Sequence, residues 1–465
     1  MRLRNLVLVL AASSFLGACS MFGPLGDTVS GWFSGPSKSE LKGERISVMT
    51  LDEAVQPDPA LSSKPVVLPP PYLNPEWPEP GGYASNAMYH LQARGGLHQV
   101  WSAEAGKGSD TDSRLTSSPI VAGGRVYVLD SQAHIFAFDA RTGSGLWNVE
   151  LAPRGKDESY FFGMLGDSNT INPAKGFGGG VAFEAGRVFV TTGFGDVFAL
   201  DAATGRQIWK TNLGVPIVNA PVANGGRVFV SSEDNHFYAL AQIDGRKLWD
   251  HQGIAEAAGI LESTSAAVAG EFVIAPYTSG ELFALRVQNG RPAWNDMLTR
   301  SGTVTALSEL DDIAARPVVD RDLVFAISHS GIMAAINLAT GDRIWSRYIG
   351  GIQTPWAAGD FLYVMTSEDQ MLCLQRKDGA VKWIYQLPRW EDKENKKHPI
   401  VWSGPVLVSD RLIAVSSTGM AASISPYTGA YLGEMKLSAG TSIAPIVANN
   451  TMYILTQDAE LLALR

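Results

Sequence analysis

Short runs in which apolar and polar residues alternate recur along the chain from about Leu97 onward, and glycine-rich turns separate them. In one copy, the run at residues 124–128 is followed by a second run at residues 134–139, the pair Thr142-Gly143 and then Trp147. Alternation with a period of two predicts β-strands, about four in each copy. The order returns eight times at about 46 residues per copy, which is the length of one propeller blade. The pattern therefore predicts an all-β fold, an eight-bladed β-propeller with four-stranded blades.

The turn that precedes the last strand ends in glycine in seven copies, and in two of them it reads Asp-x-x-Thr-Gly, at Asp139–Gly143 and Asp201–Gly205. An aspartate can accept hydrogen bonds from the backbone of its own turn, and glycine adopts the positive φ that such a turn requires. A tryptophan follows in the last strand of most copies. In the seventh copy, the repeat predicts that Leu432 stands in the position of the tryptophan. A set of tryptophans could also stack on a ligand. Their recurrence once per blade favours packing between blades by Trp101, Trp147, Trp209, Trp249, Trp294, Trp345 and Trp383.

The two ends of the repeated region complement each other. The eighth copy stops at Arg465 without its last strand, whereas residues 99–103 form an unpaired strand that carries Trp101 before the first copy. Because an unpaired sheet edge is unfavourable, we predict that the N-terminal strand completes the eighth blade.

The chain begins with Arg2 and Arg4 and a short apolar stretch, followed by Leu16-Gly17-Ala18-Cys19. This is the pattern of a signal peptide at residues 1–18 with a lipobox, and it predicts lipidation of Cys19. A cysteine that follows the cleavage site by chance is the alternative. Nine prolines between residues 57 and 80 oppose continuous helix or central strand. We therefore expect a lipidated, proline-rich linker at residues 19–90 and the propeller at residues 91–465.

Charge and cysteine content narrow the function. The formal net charge is −9 and no basic run exists, which disfavours binding to nucleic acid. Cys19 and Cys373 are the only cysteines, so the sequence carries no disulfide framework. Cys373 stands in an apolar run and is expected to be a buried core residue.

The motif Ala199-Leu200-Asp201, then Thr204-Gly205 and Trp209, resembles the repeat of PQQ-type propellers. Together with the lipobox and the proline-rich leader, the chain resembles the propeller lipoproteins of the outer-membrane β-barrel assembly machine. The resemblance implies a scaffold without enzymatic activity or cofactor, held by lipid on the periplasmic face of the outer membrane. It implies binding to the periplasmic POTRA domains of the barrel component BamA and to other subunits, and assistance to the folding and insertion of barrel proteins. Nascent outer-membrane proteins are a further expected partner.

In that family the partner surface lies on loops of neighbouring blades, one with a Leu-x-Leu-Arg segment and one with an acidic segment. Here the first loop keeps the apolar pair Ile260 and Leu261 without the arginine, and the second keeps the acids Asp311 and Asp312. The resemblance implies that these four residues contact the partner. Two other interpretations stay open, in which the apolar pair packs on its own propeller and the acids are only solvated.

The same repeat occurs in PQQ-dependent dehydrogenases, so a periplasmic quinoprotein is the alternative. The members of that group that bind quinone inside an eight-bladed propeller use an adjacent cysteine pair and a Ca²⁺ held by carboxylates. Cys373 has no cysteine neighbour, and no C-x-x-C-H, G-x-S-x-G or H-E-x-x-H motif is present. We expect no catalytic, cofactor-binding or metal-binding residues. Residues 154–175, an aromatic insertion, are a further candidate for partner binding.

Overall fold

The computed structural model describes residues 55–153, 178–256, 263–299 and 312–465. Within these ranges the chain forms eight four-stranded antiparallel sheets and one two-stranded hairpin. The only helix there is a 3-10 turn at Pro59–Leu61. None of the described helical residues forms a helix long and apolar enough to cross a membrane. The prediction of an all-β, eight-bladed propeller is confirmed.

Each of the first seven blades takes four consecutive strands in chain order. The first four blades contain β2 (Ile120–Ala122), β3 (Arg125–Leu129), β4 (His134–Asp139) and β5 (Gly145–Glu150); β6 (Gly179–Glu184), β7 (Arg187–Thr192), β8 (Asp196–Asp201) and β9 (Gln207–Asn212); β10 (Val222–Asn224), β11 (Arg227–Ser231), β12 (His236–Ala241) and β13 (Lys247–Gln252); β14 (Ala267–Ala269), β15 (Phe272–Pro276), β16 (Glu281–Arg286) and β17 (Pro292–Met297).

The remaining blades are composed likewise, except that the fourth strand of the eighth blade precedes the first blade in the chain. They contain β18 (Val318–Asp320), β19 (Leu323–Ile327), β20 (Met333–Asn337) and β21 (Arg343–Arg347); β22 (Trp356–Ala358), β23 (Phe361–Met365), β24 (Gln370–Gln375) and β25 (Val381–Gln386); β28 (Trp402–Val408), β29 (Arg411–Ser416), β30 (Met420–Ile424) and β31 (Tyr431–Lys436); β32 (Ile446–Ala448), β33 (Thr451–Leu455), β34 (Glu460–Leu464) and β1 (Gln99–Glu104). The hairpin β26 (Trp390–Asp392) and β27 (Lys397–Pro399) lies between the sixth and seventh blades.

The first strands of the blades lie at the centre of the ring, because those of the first seven blades contact one another in succession. These inner strands are almost fully buried, whereas the fourth strands alternate between exposed residues and residues that are partly or fully buried. The apolar core therefore lies within and between blades, and the fourth strands form the outer rim.

The eighth blade is closed by the N-terminal strand, as the sequence predicts. Strand β1 pairs antiparallel with β34, and Trp101 lies opposite Ala463. The backbones of His98 and Arg465 exchange two hydrogen bonds of 2.8 and 2.9 Å beside this pairing. The ring therefore has no open sheet edge at its termini.

Each tryptophan in the fourth strands of the first six blades donates its indole N–H to a backbone carbonyl of the next blade. The acceptors are Ala202 for Trp147, Gln242 for Trp209, Val287 for Trp249, Leu338 for Trp294, Arg376 for Trp345 and Pro426 for Trp383, at 2.8–3.2 Å. The glycine of the facing turn lies beneath the indole; a Cβ on Gly205, for example, would be 2.7 Å from Trp147. The turn glycine and the tryptophan of the preceding blade thus form one contact, here called the Trp–Gly lock.

The seventh blade differs from the expectation for Leu432. In the other blades the tryptophan pairs with the third-strand residue just before a β-bulge, as Trp147 pairs with Ala137. In the seventh blade Ser423 occupies that register position and pairs with Gly433. Gly433, and not Leu432, therefore stands in the place of the tryptophan, and Leu432 is 52% exposed.

Residues 55–90 differ from the predicted linker, because residues 55–465 form one compact unit. Trp77, Met88 and Leu91 are buried in the propeller core, and Asn74 and His90 are buried with them. The prolines exclude regular strands, but single β-bridges and side-chain hydrogen bonds satisfy the backbone instead. Residues 72–93 are called the strap below.

Candidate functional site

The propeller has two faces that differ in the segments that reach them. Because the strands of each blade are antiparallel, the turns between first and second and between third and fourth strands lie on one face. The turns between second and third strands and the connections between blades lie on the other. The strap contacts the first face, as Gly123 in the turn after β2 donates to Glu76 at 2.8 Å. We call the two the strap face and the loop face.

The first half of the strap follows the inner strands of four blades in order. Asn74 accepts a hydrogen bond from the backbone of Asn449 in the eighth blade, and Trp77 exchanges two with Val121 in the first. The next contacts are Pro78 with Phe183 in the second blade and the carboxyl group of Glu79 with the N–H of Ala223 in the third.

The second half continues around the ring. The carbonyls of Ala84 and Ser85 accept from Val268 and Val319 in the fourth and fifth blades, at 2.6 and 2.9 Å. The side-chain amide of Asn86 donates to Ala266 and Pro317, which also belong to these two blades. The carbonyl of Tyr89 accepts from the indole of Trp356 in the sixth blade, and Leu91 bridges to Val408 in the seventh. The strap thus contacts all eight blades.

Two ionisable side chains are buried where the strap meets the propeller. Glu79 is 3% exposed, and burial raises the pKa of its carboxyl group well above the ordinary value, with Glu184 adding to the rise and the hydrogen bond from Ala223 opposing it. His90 is held by the carbonyl of Pro69, 2.7 Å from Nδ1, and by the backbone N–H of Asp410, which donates to Nε2 at 3.0 Å. This pair of partners requires the neutral ring with its proton on Nδ1.

A cavity of about 400 Å³ lies above the strap. Trp77, Pro80 and Asn86 line it from the strap, and Asp110 and Arg114 line it from the connection between β1 and β2 at the loop face. The size lies within the range of small-molecule pockets. The strap thus lines one end of this central space.

Two arginine contacts shape the cavity wall. Arg316 donates to the carbonyl of Ser263 at 2.8 Å and to the hydroxyl of Ser118 at 3.4 Å, and all three residues line the cavity. These bonds join the first blade to the connections that enter the fourth and fifth blades. The guanidinium group therefore has a structural role on the wall.

Three of the four predicted partner-binding residues, Ile260, Leu261 and Asp311, lie outside the described residues, as do Cys19 and the aromatic insertion at residues 154–175. Asp312 is described and is 3% exposed, and its carbonyl accepts a hydrogen bond from His329 at 3.0 Å. In this structure Asp312 is part of the packed interior, so its carboxylate does not provide an exposed rim charge.

Sequence patterns that indicate chemistry are sparse in the described part of the chain. No group of three His, Cys, Asp or Glu side chains that could hold a metal occurs among the described residues. Cys373 is buried, as the sequence predicts, and burial raises the pKa of its thiol. The strap is the feature that the sequence analysis missed. Its aromatic and aliphatic residues, Trp77, Met88 and Leu91, are the signal that separates it from a solvated linker.

Comparison of the sequence with protein families assigns the chain. The sequence model described as "Outer membrane protein assembly factor BamB" matches residues 50–172 and 165–385. The chain belongs to the BamB family. Its relatives include the outer membrane protein assembly factor BamB of Salmonella typhimurium, 29% identical over 78% of this chain and 88% of that protein. BamB of Escherichia coli is 28% identical over 77% of this chain and 86% of that protein.

Solved structures support the fold. BamB from Moraxella catarrhalis superposes with a TM-score of 0.64 at 16% identity and covers 79% of this chain and 99% of that structure. The quinohemoprotein alcohol dehydrogenase of Comamonas testosteroni superposes with a TM-score of 0.61 at 13% identity, over 84% and 80% of the two chains. At these identities the likeness shows the propeller fold, which BamB-family proteins share with quinone enzymes.

Proposed function

We propose that this BamB-family chain is a non-enzymatic scaffold of the outer-membrane protein assembly complex. It binds the periplasmic POTRA domains of BamA and assists the folding and insertion of barrel proteins. The observation that carries the proposal is the family match over residues 50–385 on a complete eight-bladed ring. The mature chain is held at the periplasmic face of the outer membrane by lipid on Cys19, the cysteine of the lipobox.

The loop face is the proposed docking surface. In the sequence, Ile260, Leu261 and Asp311 belong to the connections between the third and fourth and between the fourth and fifth blades, and the described strands that flank these connections end and begin at the loop face. An apolar pair beside an acidic residue suits a small hot spot with a charged rim. Because Asp312 is buried, the proposed acidic contact is reduced to Asp311.

Binding of purified BamA POTRA domains to the full chain tests this proposal. Changing Ile260 and Leu261 to Ser is expected to weaken binding about fivefold to hundredfold, mainly through faster dissociation. Asp311→Lys is expected to slow association and to change its salt dependence. Ile243→Ser is the matched control, because Ile243 is 70% exposed but lies on the strap face. Equal affinity of the loop and control variants, with circular dichroism unchanged, would move the docking site elsewhere.

Anchoring and enzyme status have separate tests. Replacing Cys19 with Ser is expected to release the protein from the outer-membrane fraction, and continued sedimentation with that fraction would contradict lipid anchoring. A PQQ-dependent dehydrogenase remains the alternative that the shared propeller fold raises. Stoichiometric binding of PQQ, or dye-linked alcohol oxidation with Ca²⁺ supplied, would favour that alternative over the scaffold.

A further inference from the structure

The junction between the seventh and eighth blades lacks the Trp–Gly lock that holds the first six junctions. Gly433 replaces the tryptophan, and no other side chain lies within 4 Å of where its Cβ would be. The facing blade also lacks the turn that would receive an indole, because its fourth strand is β1, which does not follow its third strand β34 in the chain. We call this junction the seam.

The strap crosses the seam on the inner side of the ring. In the seventh blade the N–H of Leu91 donates to Leu407, and the N–H of Ser409 donates back to Leu91 at 2.9 Å. The hydroxyl of Ser409 bonds both the N–H and the carbonyl of Ala93 at 2.9 Å, and Ala93 bridges to Asn450 in the eighth blade. One short segment therefore joins the inner strands of both blades.

The beginning of the strap returns to the eighth blade from the other side. The fully buried side-chain amide of Asn74 donates to the carbonyl of Val447 at 2.9 Å, while the backbone carbonyl of Asn74 accepts from the N–H of Asn449 at 2.6 Å. The strap then continues to Val121 in the first blade through the two hydrogen bonds of Trp77, at 2.7 and 2.8 Å. The eighth blade, which is composed of both ends of the chain, is thus held between two parts of the strap.

We propose that residues 72–93 act as an intramolecular peptide ligand whose binding site is the ring of inner-strand edges, and that this ligand locks the seam from the inside. The ligand class is an extended polypeptide, which bonds to the free edges of inner strands through its backbone and through buried amide side chains. Elsewhere in the ring the strap adds to the Trp–Gly locks. At the seam it substitutes for the missing one.

Two buried asparagines provide a matched test. Asn74 and Asn86 both donate their side-chain amides to two carbonyls, but Asn74 acts at the eighth blade and Asn86 joins the fourth and fifth blades, which Trp294 also locks. Glycine is the substitution of choice, because Asn86 has a φ of 58°. Hydrogen exchange of the full chain is the measurement.

The Asn74→Gly variant is expected to speed amide exchange in β31, β32, β33 and β1 about fivefold to hundredfold, which corresponds to the loss of buried hydrogen bonds. The Asn86→Gly variant is expected to leave exchange in the fourth and fifth blades within about threefold of the parent, because Trp294 still holds that junction. Equal effects of the two variants on their own junctions, or no local effect of Asn74→Gly, would overturn the proposal.

Cleavage of the chain tests the ligand character directly. A protease site placed between Gly95 and Gly96, which are exposed, separates the strap from β1 in the folded full-length protein. The cleaved strap fragment is expected to remain with the propeller through gel filtration and to keep the seam protected from exchange. Release of the fragment with unchanged exchange at the seam would show that the strap is not the lock.

Discussion

Two junctions between blades of the same repeat are stabilised by different contacts. One is the junction between the third and fourth blades, and the other is the seam between the seventh and eighth. At the former, the indole of Trp249 bonds Val287 and covers Gly290 on the outer side of the sheet. At the seam, Gly433 offers no side chain and the strap supplies the inter-blade contacts on the inner side. A ring of repeated blades therefore needs a second kind of contact beside the blade in which its first and last strands pair, because the Trp–Gly lock requires a continuous turn between the third and fourth strands.

The largest expected effect separates the two kinds of junction. Trp249→Ala removes a buried indole that also contacts Phe229 and Phe237, and it is expected to lower the free energy of unfolding by about 3–5 kcal/mol. Leu432→Ala, at the neighbouring register position of the seam, is expected to change it by no more than about 0.5 kcal/mol. Denaturant unfolding of both variants measures this. A large loss for Leu432→Ala would show that the seam is packed on its outer side after all.

Two turn glycines distinguish two costs of adding a side chain: the clash with a packed indole and the strain of a left-handed backbone. Gly205 and Gly124 both have a φ of 72°, but a Cβ on Gly205 would meet Trp147 at 2.7 Å, whereas a Cβ on Gly124 meets nothing within 4 Å. Gly124→Ala is expected to cost about 1–2 kcal/mol from the left-handed backbone alone. Gly205→Ala is expected to cost about 1–3 kcal/mol more, because the indole must move. Thermal or urea unfolding of the two variants compares them, and equal losses would mean that the lock tolerates displacement.

How far the sequence predicts this molecule depends on whether a contact repeats. The strands, the Thr-Gly turns and the tryptophans recur at a fixed spacing, so each copy supports the interpretation of the others, and closure by β1 follows from counting strands. The strap has no such period. Asn74 bonds Val447, a partner 373 residues away, and prolines hide its pairing because it bridges single residues rather than forming strands.

The seventh blade shows a subtler limit. The position of its missing tryptophan depends on the β-bulge that follows Ser423, and a count made one residue short selects Leu432 rather than Gly433. The partner-binding residues are harder still to predict from the sequence, since Asp312 follows an acidic neighbour yet is buried. Local composition indicates that a loop is acidic, but it does not tell which carboxylate faces solvent.

The strap gives the third prediction, which concerns pH. The pKa of Glu79 is raised in the folded protein, so the folded state binds the proton more tightly than the unfolded chain does. Its contribution to stability is therefore fully present below the unfolded pKa and is lost as pH rises through the folded pKa. In that window the free energy of unfolding is expected to fall by up to about 1.4 kcal/mol per pH unit relative to Glu79→Gln.

Urea unfolding of the parent and of Glu79→Gln between pH 5 and pH 9 measures this difference. Glutamine is the matched substitution, because its side-chain carbonyl can still accept the N–H of Ala223 without carrying a charge. Parallel pH profiles for the two proteins would mean that Glu79 stays ionised where the strap meets the third blade.

The smallest expected effect concerns the two junctions of the first blade. Trp147 donates its indole N–H to Ala202, whose carbonyl also accepts from Tyr127, whereas the buried indole N–H of Trp101 has no hydrogen-bond partner. The corresponding carbonyl, that of Ala140, accepts a hydrogen bond from the hydroxyl of Tyr453 at 3.0 Å. Trp101 still packs against Tyr453 and Gly143. Trp147→Phe is therefore expected to cost about 0.5–1.5 kcal/mol more than Trp101→Phe, because only the former loses a hydrogen bond. Unfolding in urea, with both variants measured side by side, tests the difference. A cost for Trp101→Phe equal to that of Trp147→Phe would show that the indole N–H of Trp101 also has a hydrogen-bond acceptor in the folded protein.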